Sequence, residues 1–405
     1  MTRMGLLAAG VGASALGAAV YAAPGKAPVK DPPPIANYWM DVATTSGLGG
    51  GMGAMGGGGG RPDMGQIMQM MQGGGASVAH TLDLRLASRT KPASAAEADH
   101  FIPTGLQMGP SLPLITPVRE PAAPSTVPWQ QPKGRMLIYW GCGEHVSASQ
   151  PTVVDFSKLA AGQAPPGVAA IAAMAHAVSG PTTAAGFGRW PNDRDRRAVP
   201  AGGSLLGAHN VKGNYSPDIG FSLGAGQDFM PGLGLREAGT LPSGASQLMW
   251  QPASMATGYA LAMFGANPNG DFVMWSSSKS AAMPTLDYLA PAEVRRLVAA
   301  GSVLSPSTSQ CTLPAEVAAA VPAGMVTMIG YGPEANFAEL PKAPKWVAKV
   351  RYKTTASVMR GMGDMMGGMG AGEADQAQQE PQQAPVKKKK RGLGLGDLLG
   401  GAVPH

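Results

Sequence analysis

Residues whose types and spacing could support chemistry fall into a few short groups. Gly220-Phe221-Ser222-Leu223-Gly224 fits the G-x-S-x-G pattern of a serine nucleophile elbow. Such an elbow needs a buried strand before the serine and a helix after it. Here Asn214-Tyr215-Ser216-Pro217-Asp218-Ile219 precedes, and Gly224-Ala225-Gly226-Gln227-Asp228-Phe229 follows. The base should come later in the chain, where the only histidine is the terminal His405. The segment therefore reads as a glycine-rich loop. Cys142-Gly143-Glu144-His145 brings a thiol, a carboxylate and an imidazole together, but zinc takes three or four ligands and no second Cys/His pair accompanies this one. His176 and His209 stand alone. Trp190 with Arg189, Arg194, Arg196 and Arg197 has the residue types that grip a sugar or an acidic polymer, although Asp193 and Asp195 cancel half of the charge of those four arginines and favour a solvated turn.

Methionine is the distinctive usage, with 25 in the chain, grouped at Met52, Met55, Met64, Met68, Met70 and Met71 and again at Met359, Met362, Met365, Met366 and Met369. Thioethers are soft ligands that select Cu(I). The spacing of Met359, Met362 and Met365 resembles the methionine motifs of periplasmic copper-handling proteins, and the resemblance implies copper as a cofactor. Gly-Met repeats also serve as inert tails, and methionine suits an adaptable apolar surface. The only two cysteines, Cys142 and Cys311, are expected to form one disulfide.

Charge excludes one class of partner. The formal net charge is +6, yet Lys387, Lys388, Lys389, Lys390 and Arg391 supply five of the 31 basic residues, leaving 26 against 25 acidic. A body so balanced has no broad field for nucleic acid. The basic run is expected to tether the C-terminal tail to an anionic surface such as lipopolysaccharide or acidic lipid, each cation contributing about 1 kcal/mol at a charged membrane.

The N-terminus gives the compartment. Arg3, an apolar stretch from Gly5 to Val20 and Val20-Tyr21-Ala22 form a signal-peptide pattern with cleavage after Ala22. No cysteine near that point offers a lipid site, and no second apolar run is long enough to span a bilayer. The expected mature protein has no transmembrane helix and lies in the periplasm or at the cell surface.

The elements that must position these residues are mostly strands. With 58 glycines and 37 prolines, long helices are disfavoured, since glycine costs about 1 kcal/mol and proline about 3 in a helix interior. His80–Ser88 alternates Leu82, Leu84 and Leu86 with Asp83 and Arg85, and 346–355 alternates Trp346, Ala348, Val350 and Tyr352 with Lys349, Arg351 and Lys353. Further strands are expected at 135–140, 152–156, 247–250, 258–264, 271–276 and 325–331. Short helices are expected at 63–72, 167–178 and 291–300, the last begun by Pro291 and ended by Gly301. Residues 180–239 read as a long loop region.

Trp250, Pro252 and Tyr259 in LMWQPASMATGYALAMF resemble the opening of a fibronectin type III or immunoglobulin-like sandwich, which implies a strand ending in Trp, a proline turn and a Tyr anchoring the next strand. The expected fold is mainly β: one or two β-sandwich domains, a few short helices and long disordered low-complexity segments. The expected division is a signal peptide at 1–22, a Pro/Gly/Met-rich linker at 23–76, a first β domain with long loops at 77–239, a second sandwich-like domain at 240–358 and a disordered tail at 359–405. The functional expectation is an exported envelope or surface protein that binds or scaffolds. Periplasmic Cu(I) binding is the alternative, and a hydrolase of unknown class is third.

Overall fold

The computed structural model describes residues 32–48, 78–117, 134–156, 158, 180–182, 184–281 and 283–360. The signal segment, the helices expected at 63–72 and 167–178, the basic run Lys387–Arg391 and all of the second methionine group except Met359 lie outside them.

The fold is mainly β. In chain order the strands are β1 (Ala36–Gly47), β2 (Ala79–Ser88), β3 (Ala98–Phe101), β4 (Ser111–Pro113), β5 (Arg135–Trp140), β6 (Thr152–Asp155), β7 (Gly186–Trp190), β8 (Gly207–Gly213), β9 (Ser216–Leu223), β10 (Arg236–Thr240), β11 (Ser246–Met249), β12 (Gly258–Ala266) and β13 (Phe272–Ser276). After helix α1 (Pro291–Ala299) come β14 (Gln310–Leu313), helix α2 (Ala315–Ala320), β15 (Gly324–Ala338) and β16 (Trp346–Arg360). Nine strands form one sheet in the order β6-β5-β13-β12-β15-β16-β1-β2-β7. Its pairs are antiparallel except β1 with β16 and β5 with β13. Two smaller sheets have the orders β10-β11-β14 and β4-β3-β8-β9.

The alternation in β2 and β16 sends Leu82, Leu84, Leu86, Val350 and Tyr352 into one core with inner-face residues of β1 and β12 and with Val211, Ile219, Leu248 and Leu313 of the smaller sheets. Full burial of such a side chain contributes about 1.5–3 kcal/mol, so the pattern of leucines fixes which face turns inward. The opposite, outer face is partly roofed: α1 lays Val294 and Leu297 on Ala260, Ile329 and Tyr331. Pro291 opens that helix and Gly301, at φ +73°, follows it.

Several sequence expectations change here. Residues 36–47, inside the stretch assigned to a linker, form β1, an interior strand of the large sheet between β16 and β2. The large sheet takes strands from both sides of residue 240, so the two expected β domains share it. The loop region at 180–239 contains β7 to β10. In β7, a Cβ on Gly188 would stand 2.5 Å from the Tyr215 hydroxyl and 2.7 Å from the Leu114 carbonyl oxygen, so this glycine marks close packing and not a loose turn. The last strand continues through Met359 to Arg360, so the tail does not begin as disordered chain at 359. Among the described residues no helix is long and apolar enough to cross a membrane.

Candidate binding face

The parallel register of β1 with β16 and the antiparallel register of β1 with β2 line up three rows across the outer face. Thr81, Ala43 and Lys353 form one row; Asp83, Asp41 and Arg351 the next; Arg85, Trp39 and Lys349 the third. Two carboxylates, Asp41 and Asp83, thus stand directly opposite one another, an arrangement that repels unless each is neutralised. Each is. Arg351 donates to Asp41 from Nε at 2.6 Å and Nη2 at 2.5 Å, and Arg85 donates to Asp83 from Nε at 2.8 Å and Nη2 at 3.1 Å.

Aromatic rings hold the cations in place. The Arg351 guanidinium lies 4.6 Å from the Trp39 ring centroid and 4.5 Å from that of Tyr288. Lys353 sits 4.3 Å over Tyr288 and donates to Asp287 at 2.7 Å. Lys349 sits 5.1 Å over Trp39 and donates to Glu334 at 3.2 Å. The Asp41–Arg351 pair is buried, at 6% and 5% side-chain exposure, whereas Asp287 is 54% exposed. Burial raises the Asp41 carboxyl above its ordinary pKa against the lowering effect of Arg351. Burial would raise Asp287 as well, but Lys353 and Arg351 outweigh it and hold this carboxyl below its ordinary value. Burial, reinforced by Asp41, raises the Tyr288 phenol.

Asp41, Asp83, Arg85, Asp287, Tyr288, Arg351 and Lys353 line an open cavity of about 380 Å³ together with Thr81 and Pro191. A second hollow of about 410 Å³ lies beside Trp39, with Asn37, Asn336, Phe337 and Lys349 on its walls. The arrangement offers alternating donors and acceptors on a rigid sheet, the chemistry of polar recognition. Its carboxylates are each engaged by a cation.

The opposite face of β1 carries a different polar system. The Tyr38 hydroxyl lies 2.8 Å from His100 Nδ1, His100 Nε2 lies 3.0 Å from His209 Nδ1, and His209 Nε2 lies 2.7 Å from the Leu205 carbonyl oxygen. A carbonyl only accepts, so His209 carries its proton on Nε2. His100 then donates from Nε2, and Tyr38 donates to His100 Nδ1. Both imidazoles are fully buried. Burial lowers both pKa values, and at His100 the neighbouring His209 lowers it further.

The residues singled out from the sequence go to separate places. Ser222 lies in β9, opposite Ala208, and its hydroxyl donates to the Gly207 carbonyl; the pattern is a hairpin strand and neither a nucleophile elbow nor a loop. His209 stacks on Phe221 and pairs with His100, so it is not isolated. Cys142 and Cys311 are bridged, with Cα atoms 5.1 Å apart, tying the end of β5 to β14. His145 pairs with Glu316 at 3.0 Å. Trp190 is a core residue, 2% exposed, and leaves the Arg/Asp turn, where Asp195 engages Arg197 and Asp193 engages Arg196. Met359 stands opposite Met325 at the end of β16. Sequence reasoning missed Trp39, Asp41, Asp287 and Tyr288. The alternation within ANYWMDVATTSG was the signal for the first two. Comparison with protein-family models, with curated proteins and with solved structures gives no match.

Proposed function

We propose that the protein is an exported envelope or surface component that acts by binding or scaffolding, with the outer face over β2, β1 and β16 as its contact surface. The observation that carries this reading is the open cavity bounded by Asp41, Asp83, Arg85, Asp287, Arg351 and Lys353, whose groups are locked by one another and by Trp39 and Tyr288. Side chains fixed in this way lose little freedom on meeting a partner, which favours recognition. Export supplies the setting: the Arg3-to-Ala22 pattern directs the chain out of the cytoplasm, and the basic run Lys387–Arg391 holds it at an anionic surface.

The test combines location with binding. The N-terminal sequence of the native protein from the cell-envelope fraction should begin at Ala23, and the protein should co-sediment with isolated envelopes. Thr81 is exposed at the edge of the cavity, so Thr81→Trp should fill the cavity and weaken co-sedimentation without loss of the fold. Equal sedimentation of the two proteins would remove this face from the reading.

A second reading, Cu(I) binding with copper as cofactor, is favoured by Met325, which places a thioether opposite Met359 across the β15–β16 pair. Under reducing conditions, Met325→Leu should weaken Cu(I) retention against a chromophoric chelator. An unchanged titration would end that reading.

A further inference from the structure

We propose that Arg85 and Arg189 form an oxyanion-binding subsite at the margin of the outer face, where β7 pairs with β2. The inference rests on the contact reading above and names the chemistry that face would take, a carboxylate or a phosphate group.

In the antiparallel register of β2 with β7, Arg85 stands directly opposite Arg189. Residues so placed share one face of the sheet, and like charges there repel. One carboxylate, Asp83, neutralises Arg85, and its neighbour Asp41 is engaged by Arg351. Arg189 has no such help: among the described residues its side chain makes no ion pair or hydrogen bond, and its Nε is buried without a partner. Its backbone is nevertheless pinned, with N–H and C=O both bonded to Ile115 at 3.0 and 3.1 Å. The register thus sets Arg189 beside a second arginine, with its Nε donor unspent.

Gly180 packs closely against one side of Arg85, where a Cβ would lie 3.1 Å from both Arg85 Nη1 and Trp39, so the space for a guest lies on the cavity side of the arginine. Thr81, Asp83, Arg85 and Pro191 open into the cavity already described, which continues the subsite toward Arg351. Two arginines of which only one has a carboxylate partner have a surplus positive charge, and a planar fork matches a carboxylate or phosphate through paired N–H donors. An oxyanion between them would relieve the repulsion and satisfy Arg189 together.

The experiment follows the thermal midpoint of the full chain at constant ionic strength with three probes: inorganic phosphate, a galacturonic acid trimer and the neutral galactose trimer. Phosphate, the galacturonate trimer or both should raise the midpoint, and the neutral trimer should not. Phosphate alone would point to a phosphoryl group, and galacturonate alone to a carboxylate. Arg189→Gln should weaken the responding probe about tenfold or more, the effect of losing a charge-assisted hydrogen-bond pair. Without a probe, the variant should be at least as stable as the parent, because the like-charge pair is gone. A probe response equal in parent and variant, no response in the parent, or a variant less stable without probe would each overturn the subsite. Envelope co-sedimentation separates the two readings. If it is retained by Arg189→Gln while no probe binds, the subsite alone falls; if it is absent while a probe still binds through Arg189, the subsite stands and the contact reading falls.

Discussion

The two faces of β1 solve the same problem, polar side chains within a sheet, in opposite ways. On the outer face Asp41 is paired with Arg351 and belongs to a ladder of charges that reaches solvent through Lys353 and Asp287. On the inner face Tyr38, one strand position from Trp39 and three from Asp41, starts a chain of neutral hydrogen bonds through His100 and His209. Charge is tolerated where a counter-charge and water lie close. In the core only a neutral chain with fixed proton positions avoids the cost of an isolated buried ion. The inner threonines follow the same rule, Thr44 donating to the Met230 carbonyl and Thr354 to that of Pro231.

The largest expected effect comes from breaking the buried pair on one side only. Arg351→Met leaves the Asp41 carboxyl without its cation, and removal of one partner of a buried ion pair costs about 3–5 kcal/mol. The double variant Asp41→Leu/Arg351→Met should recover most of that loss, because two apolar residues of similar volume have no desolvation penalty. Urea denaturation of both variants measures the difference. A double variant no better than the single one would show that the pair supplies stability through its own attraction, against the comparison drawn here.

The neutral chain should respond to pH. Folding holds the pKa values of His100 and His209 below that of a free imidazole, so as pH falls through about 6.5 the unfolded chain takes up protons that the folded one refuses. Stability is therefore complete above that value and is lost below it, at up to about 1.4 kcal/mol per pH unit for each histidine. Two histidines give a loss of about 2–3 kcal/mol per unit once both unfolded imidazoles are charged. Denaturation midpoints between pH 7.5 and 5 should show this slope in the parent. In Tyr38→Phe/His100→Leu/His209→Leu the slope should flatten, with the half-buried His80, whose pKa burial also lowers, keeping a share and Asp41, whose pKa burial raises, acting in the opposite direction. A parent with no slope in this window would contradict the neutral assignment.

A smaller change probes direction within that chain. Tyr38→Phe removes the hydroxyl that donates to His100 Nδ1 and leaves a buried acceptor unpaired, at about 1–2 kcal/mol. His209 keeps its bond to Leu205, so the far end should be unaffected. Imidazole nitrogen shifts measured by NMR would report a changed environment at His100 Nδ1 and an unchanged Nε2 proton at His209. Loss of the His209 proton from Nε2 would reverse the deduced direction.

How much of this was legible in the sequence depends on how each strand is buried. β2 and β16 each have one apolar and one charged face, so strict alternation revealed both, along with the side on which Asp83, Arg85, Lys349, Arg351 and Lys353 emerge. β1 lies between them and is buried on both faces over residues 40–44, with Asp41 and Ala43 on the outer side and Met40 and Val42 on the inner, which blurs the alternation in its middle. Its neighbours in sequence, a proline-rich lead and a glycine run, pulled the reading further toward linker. Two charged strands were therefore recognised without the strand that joins them. Asp287 and Tyr288 lie outside any helix or strand and carry no periodic signal. The pairing of His100 with His209 joins residues 109 positions apart, and only the adjacency of β3 and β8 reveals it. Helix α1, bounded by Pro291 and Gly301 with Val294 and Leu297 facing inward, was legible because its signals are all local.

The smallest expected effect lies where the outer ladder meets solvent. Lys353 and Asp287 form a short contact of 2.7 Å, yet the carboxylate is 54% exposed, and exposed pairs contribute about 0–1 kcal/mol because water and salt screen them. Lys353 also lies over the Tyr288 ring, and its aliphatic stem covers apolar surface that a methionine of similar length would cover too. Lys353→Met should therefore cost under about 1 kcal/mol, and the difference should shrink further at high salt. The Asp287 carboxyl should rise toward its ordinary pKa once its nearest cation is gone, a shift that NMR titration of the side-chain carbon reads directly. A loss comparable to that of Arg351→Met, or one insensitive to salt, would place Lys353 within the buried network and move the boundary between the paired core and the wet rim outward by one row.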